Sequence, residues 1–293
     1  MVYSLNIKYI LGVCMHKFYF FPVFLFSLLI FSDSTVSATS SDILTIAVDG
    51  NNPTFSWTQS NDLDGAIKLS DSYDFVNGYD IQVAKYIAES LNYDLNIIKA
   101  DHDSLLSSVS SNQADCSISA QLDSSEDRLY VNFSNPYFYD NTVVLLKQNS
   151  SFSNASDLSD LEGGSCTSVY GTNAYNECLF QIDNADIQDA IESIIQMLSY
   201  LENGKCDFVV TNLSSALLGC SLYPDLKILD FKDTENDFEV SEYLTDLCIS
   251  VNKENADLLA KINETLESLS YDDMKKMLSD AISSQINLNI DTF

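Results

Sequence analysis

Arg128 is the single arginine among 14 lysines and arginines in this 293-residue chain. A lysine would serve equally well as a surface charge. A retained guanidinium fork therefore points to the bidentate grip of a carboxylate. The plainer alternative is an internal salt bridge, easily made in a chain with 43 Asp and Glu. A second group suited to an anion is Gly171-Thr172-Asn173, which follows the strand-like SCTSVY and opens a helical run. Unpaired N–H groups and the helix dipole favour negative charge at such a place. Asp49 closes the β-branched segment ILTIAVD, and Asn212 closes CDFVVT, so both sit at carboxyl ends of expected strands. Histidine occurs twice, as His16 and His102. His102 lies in a polar ADHD turn with no nucleophile elbow to support a Ser–His–Asp triad. The stretch from Ser60 to Gly65 faintly echoes a calcium loop but begins with Ser and lacks flanking helices, so it reads as a solvated acidic loop. No cysteine stands in a CxxC pair, so no zinc site, and no metal or cofactor of any kind, is expected.

The elements that must position these residues follow from periodicity. Residues 43–49 alternate as a buried strand, and the helical spacing of Ile81, Val83, Ala84, Ile87, Ala88 and Leu91 predicts a helix after Gly78. DLNIIK (94–99) is a second strand, 103–112 a short helix, and DCSIS (115–119) a third strand. The polar, Asn-rich stretch up to Asn77 shows no element, broken only by Phe55 and Trp57. After Pro136 the run YFYDNTVVLLKQ is long enough to pass between two lobes. The order then repeats: strand 165–170, helix through Leu179, strand 185–188, helix 194–201, strand 206–211 and the helical SSALLGC. A returning strand, 246–252, precedes two amphipathic helices within 255–284. The fold class expected is α/β: two doubly wound lobes joined by two crossover strands, lobe 1 at 43–140 with 247–293 and lobe 2 at 141–246. Ligands bind in the crevice facing the strand carboxyl ends of such lobes.

Composition narrows the function. The formal net charge of -29 repels phosphate backbones and disfavours anionic membrane surfaces, so no nucleic-acid partner is expected. The apolar run 18–32 is short for a membrane span and is followed by Val36-Ser37-Ala38, which suits a signal peptidase. Residues 1–38 therefore read as a secretory signal, with Met1 or Met15 as start, and the protein as secreted, extracellular or periplasmic. Six cysteines follow the signal, and an even count in an exported chain favours disulfides. Five N-x-S/T sequons, at Asn132, Asn149, Asn154, Asn212 and Asn263, offer glycosylation on a eukaryotic secretory route.

The run ADCSISAQLDSSEDRLYVNFSNPYF (114–138) resembles the third-strand and loop signature of the family 3 extracellular solute-binding proteins, the polar amino-acid receptors of ABC importers. GYDIQV (78–83) resembles that family's helix start, GGSCTSVYGTNA its second-lobe strand and turn, and GKCDFVVTN its GRVDAVVTD segment. No one of these is strong; four in the right order are specific, and together they cover nearly the whole chain after residue 38. The resemblance implies the periplasmic-binding-protein type II fold, no enzymatic activity, a monomer, and an importer permease as partner in a bacterium. It implies that Arg128 clamps a ligand carboxylate, assisted by Thr172 and Asn173, and that Asp49 lines the pocket. Ala120 falls in the segment that contacts the ligand, and either Asp123 or Leu122 takes the place of the family's Ser/Thr contact, the loop to Arg128 being one residue longer than the family's. The family's aromatic after the first strand is Asn52 here, leaving Phe55 nearby, and its ammonium-binding Asp is Asn212.

The family's sheet order also implies that Cys116 lies beside Cys248 and Cys166 near Cys206, leaving Cys178 and Cys220 on adjacent helices. The reading is a binding protein that closes on a small carboxylate-bearing molecule, most simply an amino acid, for uptake or sensing. Two alternatives stand beside it: a dehydratase-like enzyme acting on a cyclic acid, and a ligandless surface interaction module.

Overall fold

A computed structural model describes residues 42–241 and 244–290, with side chains to residue 285. The expected signal segment, 1–38, lies outside the described residues. Two five-stranded mixed sheets and a small antiparallel sheet make up the fold. In chain order the strands are β1 (Ile43–Val48), β2 (Asn51–Asn52), β3 (Ser56–Gln59), β4 (Ile67–Lys68), β5 (Phe75–Gly78), β6 (Asp94–Lys99), β7 (Cys116–Leu122), β8 (Val131–Tyr139), β9 (Thr142–Lys147), β10 (Ser165–Thr167), β11 (Asp186–Ile187), β12 (Phe208–Asn212), β13 (Leu226–Leu229) and β14 (Asp246–Asn252). The α-helices are α1 (Tyr79–Leu91), α2 (Leu105–Ser110), α3 (Ile194–Glu202), α4 (Leu213–Leu222), α5 (Ala256–Leu266) and α6 (Tyr271–Ile290).

The first sheet has the order β6-β1-β7-β14-β8, with β1 parallel to β6 and β7 and β14 antiparallel to its neighbours. Central β1 is covered on both faces, which explains a near-continuous apolar run instead of clean alternation. The second sheet, β11-β10-β12-β9-β13, is likewise parallel at its core and antiparallel where β9 and β13 join. The chain leaves the first sheet at the end of β8, enters the second at β9, and returns through β14. These are the two crossovers, and the fold is the bilobal α/β arrangement expected. Helix α1 buries Ile81, Val83, Ala84, Ile87 and Ala88 and ends at Asn92 in the left-handed conformation, a common helix stop. Helix α6 packs on both α1 and α4, so the C-terminal segment touches both lobes.

Three expectations need correction. The Asn-rich stretch before Asn77 is a four-stranded antiparallel sheet, β2-β3-β5-β4. Its strands are two to four residues long, too short to show a period. The helix expected after Asn173 is one π-helical turn, Ala174–Cys178, followed by a 3-10 turn, Leu179–Gln181. Finally, Cys116 lies opposite Val251 and Cys248 opposite Gln121, so these two cysteines are not neighbours. All six described cysteines are free thiols, five of them buried. Burial holds every one protonated, pushing Cys178 and Cys220 up to about 11 and Cys166, Cys206 and Cys248 up to about 12.

Candidate functional site

Strand β12 ends at Asn212, and α4 begins at the next residue, so the helix N-terminus faces the crossover between β8 and β9. Asp140 stands in that crossover. Its Oδ1 accepts the Ser214 N–H at 2.7 Å, and its Oδ2 accepts the Ser214 hydroxyl at 2.9 Å and Asn212 Nδ2 at 2.5 Å. A carboxylate from a distant segment thus caps α4. Burial pushes the Asp140 carboxyl up to about 6, opposed by the hydrogen bonds from Ser214 and Asn212. Asp140 and Asn212 line a cavity of about 300 Å³ together with Thr172 and Asn173, with Ile194 and Leu244 as apolar wall. That is the size range of a small-molecule site.

The Gly171-Thr172-Asn173 turn is built as a cap for the π turn. Gly171 has φ +78°, Thr172 Oγ1 donates to the Val169 carbonyl at 2.7 Å, and the same oxygen accepts the Tyr175 N–H at 3.3 Å. The Thr172 N–H is spent on the Val169 carbonyl at 3.3 Å. Of the amides expected to point at an anion, that one serves the turn itself.

On the other lobe the expected residues fall into separate groups. Asp49 follows β1; its N–H donates to Ser119 Oγ at 2.8 Å, and its carboxylate accepts Asn51 Nδ2 at 2.8 Å. His102 Nδ1 is 3.9 Å from Asp49 Oδ2. Asn52 turns its side chain to the Thr54 N–H, 3.1 Å away. Phe55 is 4% exposed and packs edge-on against Phe138 and Tyr79, centroids 5.6 and 6.1 Å apart; it sits in the core. Ala120 has φ +49° and donates its N–H to the Tyr137 hydroxyl at 2.8 Å.

Arg128 and Asp123 were both expected to meet a ligand. Here they meet each other: Arg128 Nε donates to Asp123 Oδ1 at 2.6 Å, and Nη2 donates to Oδ2. The arginine side chain is 62% exposed and the aspartate 17%. The hydrogen bond and charge of Asp123 hold the guanidinium above its ordinary range. The fork is therefore the internal ion pair weighed in the sequence, five residues across one loop.

The structure thus brings Thr172, Asn173 and Asn212 into one cavity and leaves Asp49, Asn52, Phe55, Ala120, Asp123 and Arg128 outside its lining. It adds Asp140, which sequence reasoning missed. The available signal was a polar Asp-Asn-Thr break between the apolar runs VNFSNPYFY and VVLL. The Asn212 sequon faces this cavity, and its Nδ2 donates to Asp140 and Ser214 Oγ, so a glycan on that nitrogen would have to displace one of these bonds. A second cavity of about 460 Å³ shares Thr142, Val240 and Thr245 with the first and is bounded by Lys232 and Tyr271. There Lys232 Nζ lies 3.4 Å from the Tyr271 ring centroid. Among the described residues no group of three His, Cys, Asp or Glu side chains is placed to hold a metal ion.

Comparison with known proteins adds a family. Residues 44–281 match the sequence profile of the bacterial extracellular solute-binding proteins, family 3. The ABC transporter arginine-binding protein 1 of Escherichia coli (strain K12) is 24% identical over 204 residues, 69% of this chain and 80% of that protein. The probable histidine-binding protein of Neisseria gonorrhoeae is 26% identical over 200 residues, 68% of this chain and 72% of that one. The match to the arginine-binding extracellular protein ArtP of Bacillus subtilis (strain 168) is shorter, 28% over 85 residues, a third of that protein's length. Among solved structures, the L-cystine solute receptor of Neisseria gonorrhoeae in its unliganded open conformation superposes with a TM-score of 0.63 at 20% identity, covering 83% of this chain and 94% of that one. The second substrate-binding domain of a putative amino-acid ABC transporter from Streptococcus pneumoniae gives 0.62 at 20% identity, covering 82% and 99%. At this identity the likeness is one of fold.

Proposed function

The chain belongs to the bacterial extracellular solute-binding proteins, family 3, and from that premise we propose that it closes on one amino acid through the Asp140–Asn212 cavity. It is a non-catalytic binding protein that works outside the cytoplasm and delivers a small amino-acid or carboxylate ligand to an ABC importer permease. The observation that carries the site is the pairing of Asp140 with Asn212. An amide at position 212 offers no formal charge to a ligand ammonium; Asp140, sharing its hydrogen bond, supplies one. At pH 7.5 a carboxyl titrating at about 6 is ionised, so the cavity presents a negative charge at a helix N-terminus. The net charge of -29 concentrates cations around the molecule as a whole. An amino acid with a cationic side chain fits that field best, in keeping with relatives named for arginine and histidine.

Arg128 enters this reading by exchange. An exposed ion pair stabilises a protein by about 0–1 kcal/mol, so a ligand carboxylate can replace Asp123 on the fork at small cost. The Arg128 loop of lobe 1, taken as 43–140 with 247–293, would then hold the acid end, and Asp140 at the edge of that lobe, with Asn212 of lobe 2, taken as 141–246, the ammonium end. Thermal melting against L-arginine, L-histidine, L-cystine, L-glutamine and L-glutamate tests the proposal. A true ligand at a hundredfold excess over Kd adds about 2.7 kcal/mol, a shift plainly visible in the melt. A protein that none of the five stabilises would overturn the reading. The Arg128–Asp123 pair would then favour the other one, an interaction module whose arginine serves only its own loop.

A further inference from the structure

Strand β7 carries a defect in its pairing with β14: from Gln121 back to Ser117 it advances four residues while β14 advances two, from Cys248 to Ser250. Within this bulge Ala120 adopts φ +49°, a conformation that suits glycine and strains an L side chain. Strain of this kind persists only where the surroundings over-determine it, and it clusters at functional sites. One surrounding group is Tyr137, wholly buried, whose hydroxyl accepts the Ala120 N–H at 2.8 Å. The same hydroxyl donates to Asp80 Oδ1 at 2.7 Å, and Asp80 Oδ2 accepts the Ser56 hydroxyl at 2.9 Å. The phenolic proton is thereby committed to the carboxylate, and the oxygen lone pairs are left facing the bulge. The ring cannot swing away. It stacks on Tyr79 with centroids 5.7 Å apart and planes 15° apart, and the Tyr79 hydroxyl donates to the Tyr137 carbonyl at 2.5 Å.

We propose that Tyr137, oriented by Asp80, is a positioning residue for the carboxylate end of the proposed ligand site, holding the β7 bulge in the shape that carries Ser119 and Ala120. Three segments distant in sequence meet to do this: the first turn of α1, the bulge, and β8. On the far side of the bulge Ser119 Oγ accepts the Asp49 N–H at 2.8 Å, so the fixed bulge also sets where Asp49 emerges from β1. It is the root of the loop that carries Asp123 and Arg128. The functional part of this inference rests on the binding reading above; the structural part does not.

Amide hydrogen exchange in the purified protein, read together with affinity, separates the two parts. In Tyr137→Phe the Ala120 N–H is expected to exchange at least tenfold faster, while Ile46 and Ala47 in β1 keep their protection. Affinity for whichever of L-arginine, L-histidine, L-cystine, L-glutamine and L-glutamate the wild type binds is expected to fall about tenfold. Asp80→Asn retains an acceptor oxygen and is expected to keep Ala120 protected, whereas Asp80→Ala is expected to lose that protection. Adding Ala120→Gly to Tyr137→Phe removes the strain and is expected to recover affinity. Unchanged Ala120 exchange in Tyr137→Phe, a rise spread evenly over the sheet, or faster exchange with undiminished affinity overturns the proposal. A wild type that binds none of the five amino acids sinks the binding reading, and the exchange data still decide whether Tyr137 holds the bulge.

Discussion

Asp140 and Asn212, 72 residues apart in sequence, share a hydrogen bond of 2.5 Å at the N-terminus of α4. The pair joins a crossover segment to the end of a strand in the second sheet, so it links the connection between lobes to the cavity wall. It places a carboxylate beside the amide at position 212. Several expectations can be checked from this relationship and from the buried groups around it.

Asp140→Asn should abolish the ligand-induced melting shift while leaving the fold intact, because Asn still caps α4 through its amide oxygen. In the wild type, an ammonium prefers the ionised carboxylate, so affinity should hold above pH 7 and fall as pH drops through about 6. Calorimetric titration from pH 5 to 8 reads this directly. A flat profile would separate Asp140 from the ligand.

Asn212→Asp should place two carboxylates within hydrogen-bond distance, so that the pair shares a proton at neutral pH. The raised folded-state affinity for protons makes the cost appear as pH rises. We expect a loss of about 1–3 kcal/mol at pH 7.5 in urea unfolding, vanishing near pH 4.

Arg128→Ala should change stability by about 1 kcal/mol or less, since the guanidinium is 62% exposed, although Asp123 is only 17% exposed. The same substitution should remove the melting shift with any amino acid that stabilises the wild type. Normal ligand response in this variant would retire the exchange of Asp123 for a ligand carboxylate.

Asp80 has no exposed surface, and burial, with a smaller contribution from Asp49, pushes its carboxyl from 3.8 up to about 6 despite hydrogen bonds from Tyr137 and Ser56. Its folded-state value is raised, so the stabilisation tied to its proton is complete below pH 3.8 and lost as pH rises through about 6. Asp80→Asn should therefore be more stable than wild type by up to about 3 kcal/mol at pH 7.5 and equal to it near pH 3.5. Urea unfolding at the two pH values provides the comparison.

Gly78→Ala should be severely destabilising, by about 3 kcal/mol or more. Gly78 has φ +121°, and a Cβ there would lie 2.3 Å from the Phe55 carbonyl oxygen and 2.7 Å from Ser56 Cα, both backbone atoms. This close approach brings β3 against the start of α1, where the Asp80 N–H donates to the same Phe55 oxygen at 3.1 Å. Loss of the folded baseline in a urea series at 25 °C, or a midpoint shifted strongly down, is the expected result.

The sequence by itself determined the order of the elements and the family. Helical spacing in α1, the β-branched runs of β1 and β14, and the four motif-bearing segments are local properties, set by which side chains a strand or helix must bury. The short strands of the β2–β5 sheet stayed hidden because two to four residues carry no period, and Phe55, read as a candidate aromatic beside the ligand, is a core side chain. Partner choice was a matter for tertiary structure alone. Arg128 has its own Asp123 within reach, and only the conformation of their loop shows that the two are paired here. Cys116 and Cys248 sit on adjacent strands, yet the register places them opposite Val251 and Gln121 and not opposite each other. Asp140 lines the cavity because the crossover meets the N-terminus of α4, a convergence of segments that no local pattern records.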